Sequence, residues 1–68
     1  MNEDIFNMQV RKFLKKVGIN SQREIERAVR EAIDAGRLSG NESIAAKVTL
    51  IIEVLDLSVD IEDSISLE

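Results

Sequence analysis

Ala46-Lys47-Val48-Thr49-Leu50-Ile51-Ile52-Glu53-Val54-Leu55, then Asp56, then Leu57-Ser58-Val59-Asp60-Ile61-Glu62-Asp63-Ser64-Ile65-Ser66-Leu67, is the stretch that decides the fold. In the first run every second residue from Ala46 to Val54 is apolar. In the second, Leu57, Val59, Ile61, Ile65 and Leu67 alternate with Ser58, Asp60, Glu62, Ser64 and Ser66. A period of two with β-branched enrichment marks half-buried antiparallel strands, because successive side chains point to opposite faces of a sheet. The apolar parity changes at Asp56, so a turn near Leu55-Asp56 lets both apolar sets share one face. Asp63 stands on the apolar parity of its run and predicts a break there. The reading is therefore a β-hairpin, strands 46–54 and 57–67, with a short three-stranded meander as the alternative.

Upstream the period is 3.6. Phe6, Val10, Phe13, Leu14 and Val17 fall on one helical stripe, with Arg11, Lys12, Lys15 and Lys16 outside it. Asn2 is placed to cap this helix, Glu3 and Asp4 suit its positive end, and Gly18 is a residue that commonly ends one. The spacing predicts a helix over 2–17. Ser21-Gln22-Arg23-Glu24 has the form of a capping box and predicts a second helix over 21–35, with Ile25, Ala28, Val29, Ala32 and Ile33 as its apolar stripe. Glu26–Arg30, Arg27–Glu31 and Arg30–Asp34 stand at the four-residue spacing that lets opposite charges meet. Residues 36–44 read as a loop, with Gly40-Asn41 as its turn signal. The expected architecture is α+β, a single small domain 1–68 with two N-terminal helices packed on the C-terminal hairpin in two layers.

Sixty-eight residues supply only a small core, drawn here from 21 Ile, Val and Leu side chains and two Phe. The chain has no cysteine, histidine, tryptophan or tyrosine. That excludes disulfides, zinc sites of the Cys/His kind, histidine acid–base catalysis and a Trp/Tyr platform for stacking bases. Residues 1–40 carry eight basic and six acidic side chains, whereas 41–68 carry one basic and seven acidic. An acidic C-terminal half repels phosphate backbones and argues against nucleic acid as the main partner. No apolar run reaches the ~20 residues that span a bilayer, and the acidic N-terminus is unlike a secretory signal, so no membrane partner and a cytoplasmic location are expected.

The chemistry-bearing patterns are few. Gly18-Ile19-Asn20-Ser21 between two helices has the length and glycine of a helix-turn-helix, and a β-ribbon follows where a wing would sit. On that reading Gln22, Arg23, Arg27 and Arg30 would face DNA. Against it, Glu24, Glu26, Glu31 and Asp34 dilute the positive field, and a helix of the usual three is missing. Asp56, Asp60, Glu62 and Asp63 match no metal-binding spacing and read as a solvated sheet face. No nucleophile has a base, so no catalytic residue, cofactor or metal is assigned and an enzyme is not expected. The remaining signal is surplus hydrophobicity: Ile51 and Leu55 on the outer parity of the ribbon, and Met8 on the polar side of the first helix. These point to a non-catalytic interaction module with a homodimer or another protein as partner, and a DNA-associated protein is the alternative.

Several strings carry a resemblance over the whole chain: Met1-Asn2-Glu3-Asp4, Phe6-Asn7-Met8, Arg11-Lys12-Phe13-Leu14-Lys15-Lys16-Val17-Gly18, Ser21-Gln22-Arg23-Glu24-Ile25-Glu26, Thr49-Leu50 and Leu55-Asp56-Leu57. The sequence resembles a family of short bacterial proteins of unknown function. The resemblance implies a bacterial, cytoplasmic, stand-alone domain and assigns no residue a role.

Overall fold

Asn2 opens the helix as expected. Its backbone is extended and its side chain accepts a hydrogen bond from the Ile5 N–H at 3.1 Å, with Glu3 and Asp4 in the first turn. The structure, a computed structural model, describes residues 1–68. From this cap a single helix, α1, runs Glu3–Asp34 without interruption, about 48 Å long at 1.5 Å per residue. The two helices expected from the sequence are one. Gly18 keeps a helical backbone, and the chain contains no proline. A glycine inside a helix costs roughly 0.5–1 kcal/mol. Ending at Gly18 and restarting at Ser21 would instead strand the last carbonyls of one helix and the first amides of another, and would need a second nucleation. A serine cap returns only about 1 kcal/mol of that. Ser21 and Glu24 therefore lie in the helix interior, and Glu24 pairs with Arg27.

The glycine that ends the helix is Gly36. At φ 75° it takes the left-handed conformation, its N–H donates to the Ile33 carbonyl at 3.0 Å, and the Arg37 N–H donates to the Ala32 carbonyl at 2.8 Å. This is the Schellman arrangement, which satisfies carbonyls the helix end leaves free.

Strand β1 is Ser43–Ile52 and strand β2 is Leu57–Ser66, joined by a 3-10 turn, Glu53–Leu55, and by Asp56. Asp56 is left-handed (φ 52°, ψ 38°) and donates its N–H to the Glu53 carbonyl at 3.0 Å. The strands pair antiparallel from Ser43↔Ser66 to Ile52↔Leu57. Val54, placed in a strand by the sequence pattern, belongs to the turn and is 91% exposed. The turn at Asp56 does join the two apolar parities. Ile44/Ile65, Val48/Ile61, Leu50/Val59 and Ile52/Leu57 are opposed on one face, and Lys47/Glu62, Thr49/Asp60 and Ile51/Ser58 on the other.

The break expected at Asp63 does not occur, and the ribbon is a two-stranded hairpin. Asp63 sits on the apolar face opposite Ala46, the smallest side chain in that row, and remains exposed. Its carboxylate accepts the Ser64 N–H at 2.7 Å.

The chain divides into two compact units, Met1–Arg37 and Leu38–Glu68. No residue of either is buried. Within each unit taken by itself, the helix or the ribbon has no second layer of its own to cover its apolar face.

Candidate functional site

The candidate site is a pair of apolar faces, one per unit. On α1 most of the two stripes read separately from the sequence falls on one side, although Val29 and Ile33 of the second stripe lie about 40° and 80° beyond its edge. At about 100° per residue, positions 6, 10, 13, 14, 17, 21, 25, 28 and 32 all fall within an arc of roughly 120°. The face runs from Phe6 through Val17 to Ala32, crossing at Ser21. Phe6, Phe13 and Leu14 are each more than half exposed. Isolated apolar side chains on a surface are ordinary, but a row of them along one side of a helix, here with Glu24 and Glu31 on the same arc, marks a surface that packs against something.

The hairpin contributes the second face. Val48 and Ile61 oppose each other at its centre, 45% and 61% exposed, beside Leu50/Val59. A two-stranded ribbon with one bare apolar face is marginal in water. The opposite face is finished with polar partners, including a Thr49 hydroxyl that donates to the Asp60 carboxylate at 2.8 Å.

The three residues proposed for interaction fall elsewhere. Met8 lies on α1 well away from the stripe. Ile51 stands on the polar face of the ribbon opposite Ser58, and Leu55 in the 3-10 turn. All three are exposed, but the larger apolar surface is the inner face of the ribbon and the stripe of α1. The signal that could have found it was the pairing of parities across Asp56.

Gln22, Arg23, Arg27 and Arg30 all lie on α1, and the turn that would present a recognition helix is absent. Arg23, Arg27 and Arg30 share a side of the helix, and Gln22 lies about 80–140° around from them. Arg27 donates to Glu24 at 2.7 Å and to Glu31 at 3.0 Å, and Arg30 reaches Glu26 at 3.4 Å. The hydrogen bonds to Glu24 and then Glu31 raise the Arg27 pKa above its ordinary value. Two of the four residues are thus engaged by neighbours on their own helix.

One residue that the sequence did not single out organises the connection. The Glu42 carboxylate accepts the Ser39 N–H at 2.8 Å and the Gly40 N–H at 2.9 Å, and the Glu42 carbonyl accepts the Leu67 N–H at 2.9 Å. The bond from Ser39, followed by that from Gly40, holds the Glu42 carboxyl below the usual glutamate range. Glu42 is a structural clamp on the turn where Gly40 is left-handed (φ 102°).

No three carboxylates converge to hold a cation. No helix is long and apolar enough to cross a membrane. Across all residues, 1–68, the chain matches the Family of unknown function (DUF6494), and it belongs to that family. No curated protein and no solved structure matches it.

Proposed function

We propose that this member of DUF6494 is a non-catalytic self-association module whose folded form is a homo-oligomer. A single observation carries the reading: no residue of the chain is fully buried, so neither amphipathic unit encloses a core of its own. Burying a large aliphatic or aromatic side chain is worth about 1.5–3 kcal/mol, and a domain this small has few other sources of stability. A second copy supplies complementary apolar faces at no further sequence cost. Met8, Ile51 and Leu55, exposed but off these two faces, stand outside that contact. The absence of histidine and cysteine and the scatter of the carboxylates support a role without chemistry of its own. The continuous helix through Gly18–Ser21 lacks the turn that the DNA-associated reading was built on, which favours self-association over it.

Sedimentation equilibrium across a hundredfold concentration range, with circular dichroism at each point, tests the proposal. Oligomers that lose secondary structure as they dissociate are the expected result. A monomer that stays fully folded at every concentration would overturn it.

A further inference from the structure

We infer that the apolar face of the hairpin is covered by the N-terminal half of α1, residues 6–17, of a second copy, with Arg11 or Lys16 facing the Asp63 carboxylate. This rests on the self-association reading and names the two surfaces that meet.

Asp63 is a charge on an apolar face. It stands opposite Ala46, between the Ile44/Ile65 and Val48/Ile61 pairs. Its one hydrogen bond comes from the adjacent Ser64 N–H, and no cation of the chain pairs with it. Exposed to water, it costs little. Whatever covers the face takes the carboxylate out of water, and a buried charge without a partner is strongly unfavourable. The occupant must therefore carry a cation at the margin of an apolar surface.

A second hairpin laid face to face does not. Its one basic residue, Lys47, stands on the polar face opposite Glu62, and its apolar face brings another Asp63. Such a pair would enclose two carboxylates and no counter-charge.

The N-terminal half of α1 does. At about 100° per residue, Phe6, Val10, Phe13, Leu14 and Val17 share an arc of about 100°, and no other residue between 6 and 17 falls inside it. Arg11 lies about 60° beyond Leu14 on one side, and Lys16 about 60° beyond Phe13 on the other. Neither forms an ion pair within the chain. Long basic side chains at such a margin lay their methylenes along the apolar contact and keep the charge at its edge. With one cation on each side of the row, either direction of the helix along the ribbon turns one of them toward β2, the strand that carries Asp63.

The C-terminal half of α1 has the opposite margin. Ile25, Ala28, Val29, Ala32 and Ile33 span about 140°. Glu24 and Glu31 lie about 40° and 60° outside one edge, and Glu26 about 20° outside the other. Arg27 and Arg30 are already engaged by these glutamates. The cations that border an apolar row and lack a partner belong to the N-terminal half, so that half and the ribbon are complementary in charge as well as in hydrophobicity.

Charge exchange tests the pairing in the full chain, by sedimentation equilibrium. Asp63→Lys alone, and Arg11→Glu with Lys16→Glu in a separate chain, each set like charges together. Each should raise the concentration of half-association about tenfold or more. An equal mixture of the two proteins should return it to the value of the unmodified chain, because each helix then meets a hairpin of opposite charge. Variants that associate as tightly as the unmodified chain would overturn the pairing and leave self-association standing. Weakened variants that the mixture does not restore would overturn it too. In that case, restoration in a single chain carrying all three exchanges would assign the face to the chain's own helix. A folded monomer for the unmodified chain would remove both proposals.

Discussion

Replacing Gly18 with alanine tests the uninterrupted helix at the point where the sequence argues most strongly for a stop. In a helix interior alanine is favoured over glycine by about 0.8–1.0 kcal/mol, because the glycine backbone loses more freedom on folding. A Cβ built on Gly18 meets nothing within 4 Å, so no packing cost offsets the gain. For a domain of this size 1 kcal/mol corresponds to a rise in Tm of roughly 4–8 °C. The comparison must be made at matched protein concentration, because association shifts Tm by mass action. Gly36→Ala supplies the opposite sign. That site also has open space around it, but its φ of 75° makes a Cβ cost roughly 1–2 kcal/mol through the backbone alone. Thermal unfolding followed at 222 nm should therefore rank the proteins Gly18→Ala, wild type, Gly36→Ala. A Gly18→Ala protein less stable than wild type would refute the continuous helix, as would wild-type Cα chemical shifts at 18–21 outside the helical range.

Three further outcomes follow from the ribbon and its connection. Asp56→Val forces a β-branched residue into a left-handed turn and should destabilise by about 1–2 kcal/mol in urea unfolding, whereas Asp56→Gly should be neutral or better. Ile61→Lys places a charge at the centre of the apolar face and should dissociate the oligomer in light scattering. Ile51→Lys, opposite Ser58, should leave it associated. The Glu42 carboxyl titrates lower in the folded chain than when unfolded, so its contribution is complete above the ordinary glutamate value of about 4.3 and fades as pH falls through the lower folded value. The Ser39 and Gly40 amide shifts should report that midpoint, and Glu42→Gln should abolish it. A midpoint at or above the ordinary value would contradict the clamp.

The hairpin was legible because its signal is repeated at every residue. A period of two over twenty positions outweighs one anomaly, and the parity change marked the turn at Asp56. Asp63 misled because parity says which way a side chain points, not whether its neighbour is small enough to leave it in water. Ala46, its cross-strand partner, is known only once the register is fixed. The division of α1 at Gly18 failed for a related reason. Capping boxes and glycines are local signals, and the continuity of hydrogen bonds through them is decided over the whole helix. Most of the stripe on each side was legible, but Val29 and Ile33 lie off the joint face, and the alignment across Ser21 emerges only when the helix is one piece. Glu42 escaped notice because a carboxylate that organises its own turn has no composition signature distinct from an ordinary surface glutamate.

A sheet of two strands has no interior strand, so β1 and β2 each carry one row of backbone donors and acceptors with no partner in the ribbon. What keeps further chains from adding there is charge: Lys47 on one strand, and Asp60, Glu62 and Asp63 on the other. Replacing those three acidic residues with neutral ones would strip the second guard and leave the first, making β2 the side from which growth into stacked, fibre-like ribbons would begin.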